Sequence, residues 1–363
     1  MTTPLAEILA RRIRTEGPVT LAEYMRSCLL HPEHGYYTRR EALGARGDFI
    51  TAPEISQVFG ELLGLALAQS WIDRGRPAPF LLVEAGPGRG TLMADLLRAT
   101  RIVPGFHGAM RLVLVEASPA MRRRQRKALA GHAVEWAGTI DEALSRHADL
   151  PLLLVANEFF DALPIRQFIR TPTAWRERMV GLDEAGKLAF GLSGEMPAAF
   201  LAERLADTRE GDIVEISLPA LAIARTLAGR IATKGGVALI IDYGGWRSLG
   251  DTFQAVENHA PVDPLARPGM ADLTAHVDFA ALAAAAREGG ACHSAMTAQG
   301  AFLEALGIRA RAAALARRLK GPALENHLAA IRRLTSPEEM GTLFKVMAIH
   351  DRLGPPPGLP PAA

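Results

Sequence analysis

The chain has 363 residues, 49% of them hydrophobic and 22% charged, with a formal net charge of +2. That length holds one enlarged domain or two, and the near-neutral charge argues against nucleic acid as a main ligand. Its two cysteines, Cys28 and Cys292, are too few for a disulfide framework or a zinc site, so no metal is expected; no apolar run reaches the roughly 20 residues of a membrane helix, so no membrane insertion is expected either.

Taken in chain order, the first 75 residues do not follow a strand–helix repeat. No signal-peptide core leads the chain, and Leu5 to Arg14 reads as an ordinary amphipathic helix or a short targeting helix. Thr20, with Glu23 three residues on, forms a capping box for a helix through Arg26. His31 to Tyr37 and Gly47 to Glu54 are loop chemistry, punctuated by glycine and proline. Val58 to Ile72 is a strongly apolar helix, suited to packing on a sheet or in a homodimer interface. Residues 1–75 therefore read as a helical and loop cap placed before the core.

From Phe80 the rhythm becomes β-α-β, with strands at 80–84, 111–116, 133–137, 151–156 and 237–242. This pattern predicts an α/β fold with a mostly parallel, doubly wound, Rossmann-like sheet. Gly341 to His350 supplies a late strand, so the core spans 76–350. Insertions are expected at about 172–212, where Asp183-Glu184-Ala185-Gly186 suits a hairpin, and at 246–330. The proline-rich tail, 351–363, is expected to be flexible.

The chemistry begins at Leu81-Leu82-Val83-Glu84-Ala85-Gly86-Pro87-Gly88-Arg89-Gly90-Thr91, an apolar strand, a glycine turn and a helix start. Such a unit lets a ligand press against bare backbone at Gly86, Gly88 and Gly90. A second apolar run, Leu112 to Val115, ends in Glu116, a carboxylate placed to accept hydrogen bonds from a ribose. Glu84 just before the turn would repel a pyrophosphate, whereas it suits the amino group of a methionine moiety. The spacing E-x-G-x-G-x-G thus favours S-adenosylmethionine over NAD, with a ligand-free tight turn as the plain alternative. Asp141 is either an adenine-side acceptor or the N-cap of a helix over 141–146.

Asn157-Glu158-Phe159-Phe160-Asp161 ends the fourth strand, where this fold carries its reactive edge. Asn157 is grouped with the cofactor residues. Glu158 and Asp161, with Asp48 from the cap loop, are candidate catalytic carboxylates; the alternative is a helix start with acids near its positive end. Asp242 either faces the cleft or caps the next turn. His276 and Asp278 suit structural hydrogen bonding or proton shuttling. The basic run Arg122 to Lys127 reads as a solvated helix face or a docking patch.

Several long motifs carry a resemblance. Gly47-Asp48-Phe49-Ile50-Thr51-Ala52-Pro53-Glu54-Ile55-Ser56-Gln57-Val58-Phe59-Gly60-Glu61, Glu84 to Leu92, Asn157 to Pro164, Ile241 to Gly244, Asp272 to Phe279 and Glu339 to Val346 are similar to the signatures of the MidA family. The likeness extends from about residue 5 to 350. It implies an S-adenosylmethionine-dependent methyltransferase with an N-terminal cap and a late insertion. It further implies protein arginine methylation, giving symmetric ω-N-dimethylarginine on a respiratory complex I subunit of the 49 kDa type, in support of complex I assembly. The compartment implied is the bacterial cytoplasm, or the mitochondrial matrix in a eukaryote. Ala85 departs from the usual aliphatic residue, and Val256 to Pro261 is a looser match where a Gly-His pair is typical. Two other readings stay open: an assembly chaperone that binds cofactor without catalysis, and a small-molecule methyltransferase.

Overall fold

The apolar runs assemble into one mostly parallel sheet. The structure, a computed structural model, describes residues 3–39 and 51–362. These fall into two units. One comprises 3–39, 161–220 and 247–278; the other comprises 51–160, 221–246 and 279–362.

The second unit holds the sheet, whose main strands are β1 (Phe80–Ala85), β2 (Met110–Val115), β3 (Val134–Ala137), β4 (Leu152–Asn157), β5 (Gly236–Gly245) and β6 (Phe344–His350). Their spatial order is β6-β5-β4-β1-β2-β3. All neighbours run parallel except β6, which is antiparallel to β5. Every residue of β1 and β4 is buried, as expected of parallel strands covered on both faces, and this explains their unbroken apolar runs. Successive strands step outward from β1 in opposite directions, so the chain reverses its course between β1 and β4. Ligands of doubly wound sheets bind at the carboxyl ends beside such a reversal. The register puts Ala85 opposite both Val115 and Ala156, which aligns the ends of β1, β2 and β4.

Helices α1 (Gln57–Asp73), α2 (Thr91–Thr100), α3 (Pro119–Ala128) and α4 (Ile140–Arg146) lie in the same unit. Of the two settings open for α1, the structure shows the sheet: Val58, Phe59, Leu63 and Leu67 share one core with Phe80, Leu82 and Leu96. Glu61, buried on α1, receives Arg98 at 2.9 Å and Arg311 at 2.7 Å. The proline-rich end, expected to be flexible, packs instead. Leu359 joins the core, and Asp351 accepts hydrogen bonds from Arg74 and from the Gly236 amide.

The first unit begins with helices Pro4–Glu16 and Leu21–Leu30. The Thr20–Glu23 capping box forms as the sequence indicates, and the second helix stops where His31 precedes Pro32. An antiparallel sheet contains the hairpin Trp175–Leu182 and Leu188–Leu192, flanked by Arg166–Arg170 and Ile213–Ile216. The sheet therefore extends beyond the insertion expected at 172–212, because Arg166–Arg170 pairs with the hairpin and Ile213–Ile216 pairs with Arg166–Arg170. The cap expected over 1–75 is divided, since α1 buries itself in the core of the other unit. Within the second expected insertion, 279–330 also belongs to that unit, where Phe302, Leu303 and Ile308 enter the core.

Candidate functional site

Three strand ends and one short helix of the sheet-bearing unit build the site. At the end of β1, Glu84 is only 3% exposed. Burial pushes its carboxyl up to about 8, outweighing a backbone hydrogen bond from Met93. Its Oε2 is buried with no hydrogen-bond partner among the described residues. Gly86 has φ +67°, and a Cβ there would lie 3.0 Å from the Phe159 ring. Gly90, at φ +87°, is the N-cap of α2. Both positions occupy the left-handed region that side chains disfavour.

After β2, Glu116 accepts from the Ser118 amide at 2.7 Å through Oε1 and from Gln125 Nε2 at 3.1 Å through Oε2. Burial pushes this carboxyl up too, and those two hydrogen bonds pull it back. The reading of Arg122 to Lys127 as one basic run missed Gln125, which reaches both Glu116 and the Gly88 carbonyl. Met121, Gln125 and Leu129 recur every fourth residue and are all buried, a spacing that marks the inward face of α3. Arg122 donates to the Glu116 carbonyl and Arg126 stacks over Trp136, while Arg123 and Lys127 are exposed.

At the end of β4, Asn157 donates through Nδ2 to Glu158 Oε1 at 3.0 Å, and its buried Oδ1 has no partner among the described residues. Glu158 itself has φ +52°, a conformation that costs a non-glycine residue of order 1–3 kcal/mol and recurs at functional sites. Asp242, fully buried on β5, fixes this bend. Its Oδ2 accepts from the Phe159 and Phe160 amides at 3.2 and 2.9 Å, and its Oδ1 from Tyr243. Of the two roles left open for Asp242, capping is the one seen here, with the loop after β4 capped as well as the Tyr243 amide. The one-turn helix Ala52–Ile55 completes the site. Its Ala52 amide donates to Glu158 Oε1 at 3.0 Å, and Glu54 accepts from Thr91 at the start of α2.

The other candidates fall elsewhere. Asp161 belongs to the first unit, where its carbonyl accepts from Ala275. Its charge contributes, after burial and Asp272, to holding the Tyr37 hydroxyl well above its ordinary range; Tyr37 donates to Asp272 at 2.8 Å. Glu158 and Asp161, three residues apart in sequence, are thus carried by different units. Asp48 lies outside the described residues. Asp141 is not an N-cap: Thr139 caps α4, accepting from Glu142, because the helix starts at Ile140. Asp141 is exposed in its first turn, leaving the adenine-side role as the one still open. The His276 amide donates to Thr252, and Asp278 accepts from Ser248.

These residues fit S-adenosylmethionine. The buried acceptor oxygens of Glu84 and Asn157 suit a cationic amino group, since an unpaired buried acceptor costs about 1–3 kcal/mol. A Cβ at Gly86 would crowd the Phe159 ring, and Glu116 ends the second strand, the position from which doubly wound folds read a ribose.

Comparison with known proteins agrees. Residues 62–297 match the family model described as an S-adenosyl-L-methionine-dependent methyltransferase. Among curated proteins, the chain is 38% identical to the protein arginine methyltransferase NDUFAF7, mitochondrial, of Danio rerio, over 94% of this chain and 85% of that protein. It is also 38% identical to the Homo sapiens protein of the same name, over 97% and 85%. A crystal structure of a candidate methyl transferase from Burkholderia thailandensis, bound to S-adenosyl-homocysteine, superimposes with a TM-score of 0.82 at 30% identity, covering 98% of this chain and 93% of that one. The chain belongs to the MidA family of S-adenosylmethionine-dependent methyltransferases.

Proposed function

We propose that the protein methylates arginine side chains of a protein substrate, with Glu158 as the carboxylate that receives the guanidinium. The observation that carries this reading is the left-handed bend at Glu158, pinned by Ala52, Asn157 and Asp242, at the reactive edge of the sheet. Strain held by so many partners directs one carboxylate to one place. The relatives named protein arginine methyltransferases give the acceptor its identity.

Bound cofactor supplies a methyl group on a sulfonium. Glu84, Gly86, Gly88, Gly90, Glu116, Asp141 and Asn157 hold it in this reading. The chain's remaining task is to orient a nucleophile and exclude water. A guanidinium is cationic and a poor nucleophile. Forked hydrogen bonds to Glu158 orient it and draw its positive charge away from the attacking nitrogen, and the carboxylate accepts the proton that nitrogen must lose. The product assigned is symmetric dimethylarginine on a complex I subunit of the 49 kDa type, in support of assembly. No helix among the described residues is long and apolar enough to cross a membrane. The NDUFAF7 relatives are named mitochondrial, which supports the matrix as the compartment in a eukaryote.

The test is incubation with labelled S-adenosylmethionine and a lysate from cells lacking this gene, followed by mapping of the methylated residue. Label on a protein arginine is the expected result. Cofactor binding without transfer would replace this reading with that of a chaperone, and label on a small molecule would replace the substrate class.

A further inference from the structure

The helix that carries the basic run also holds a fully buried amide, that of Gln125. A buried amide is costly unless its donors and acceptor are matched, and here each has a partner. The Trp136 indole donates to Oε1 at 2.8 Å, and Nε2 donates to the Gly88 carbonyl at 2.8 Å and to Glu116 Oε2 at 3.1 Å. An indole can only donate, so Trp136 fixes which end of the amide is oxygen and which is nitrogen. One side chain therefore joins the glycine turn, the carboxylate after β2 and strand β3. Gly90 lies against the same side chain: a Cβ there would make ordinary contact, at 3.5 Å, with Cα and Cγ of Gln125.

The last torsion of a glutamate is broad and roughly two-fold, so a carboxylate held at one oxygen still turns. Glu116 is held at both, by the Ser118 amide and by Gln125. We propose that Gln125 is a positioning residue for cofactor recognition: fixed by Trp136, it locks the Glu116 carboxylate in the one orientation that selects a ribose diol. This inference rests on the reading of Glu116 as the ribose acceptor. Removing the amide frees Glu116 to rotate, and the preference for a hydroxylated sugar falls by roughly tenfold, the cost of ordering a mobile side chain on binding.

The experiment is calorimetric titration of the wild type, Gln125→Met and Trp136→Phe with S-adenosylhomocysteine and with its 2′-deoxyribose counterpart. The wild type is expected to prefer the ribose ligand. Gln125→Met is expected to lose roughly tenfold of that preference while binding the deoxy ligand nearly as the wild type does. Trp136→Phe, which removes the donor that fixes the amide, is expected to lose part of it. Full preference retained in Gln125→Met, or equal weakening toward both ligands, would overturn the proposal in favour of a packing role. Should Gln125→Met fail to melt cooperatively, Trp136→Phe decides: unchanged preference overturns the proposal. A wild type that binds both ligands equally overturns the ribose role of Glu116 itself, and one that binds neither overturns the cofactor site.

Discussion

Replacing Glu84 by glutamine tests whether this carboxyl is the receptor for the cofactor's amino group. Burial, opposed only by the Met93 amide, raises it from 4.5 to about 8, so at pH 7 the ligand-free protein holds a largely protonated acid. A cationic ligand selects the ionised form, and apparent affinity scales with the fraction of that form present. Between pH 6 and pH 7 that fraction grows about tenfold, and S-adenosylhomocysteine should bind about tenfold tighter, releasing close to one proton. Stability moves the other way. A carboxyl with a raised folded-state pKa stabilises the empty protein most below its unfolded value, and loses that contribution as pH rises through about 8. The interval from 4.5 to about 8 corresponds to an upper bound of about 5 kcal/mol. The assays are calorimetry in buffers of different ionisation enthalpy and thermal melts from pH 6 to 8.5. Glu84→Gln should flatten both profiles and weaken binding about ten- to hundredfold, the range for a hydrogen bond to a charged group. An equal pH slope in the wild type and the variant would refute the reasoning.

Three further outcomes are expected. Gly86→Val combines φ +67° with a Cβ 3.0 Å from Phe159; calorimetry should show cofactor binding abolished while circular dichroism still reports the sheet, and retained binding would show that the turn is not the cradle. Glu158→Gln keeps an acceptor for the Ala52 amide but removes the charge, so cofactor affinity should change little while turnover falls about 10²- to 10⁴-fold; activity near the wild-type level would remove Glu158 from the chemistry. Glu61→Gln leaves Arg311 without its carboxylate and removes one of the two that Arg98 holds, the other being Asp95. Because both arginines are more than a third exposed, the loss should be about 1–2 kcal/mol, well below that of a fully buried pair. Burial opposes ionisation of Glu61, but the bonds from Arg311 and Arg98 win and lower its pKa. Its contribution is therefore present above the usual carboxylate range and lost as pH falls through the folded value, so wild-type and variant melts should converge in acid.

The parts of this fold that were legible share one property: their signal is local. The strands at Phe80, Met110, Val134, Leu152 and Gly236 announce themselves as apolar runs, and Thr20 with Glu23 announces a capping box. The glycine turn is legible because Gly86 and Gly90 answer a backbone requirement within their own few residues. What was not legible depends on partners far along the chain. Asp242 meets the Phe159 and Phe160 amides from more than 80 residues away, and nothing near Asp242 signals it. Gln125 was hidden by arginines that share its helix but not its face. Leu359 lies in a proline-rich tail, and the apolar pocket that receives it is assembled from other segments.

Glu61 and Glu84 show how a site can be told from a structural acid. The two are equally buried, at 3% exposure each, and burial penalises the charge of both. In Glu61 two arginines outweigh that penalty and the carboxyl moves down; in Glu84 one backbone amide does not, and it moves up. A fold that only needed packing at the end of β1 would be better served there by an apolar residue, as at Val83 and Ala85 on either side. The acid is retained at a cost, next to a turn with glycine at alternate positions. In the proposed reading its missing partner is supplied when a cation enters, and this deficit, more than the glycines alone, favours a methionine-bearing cofactor over a pyrophosphate.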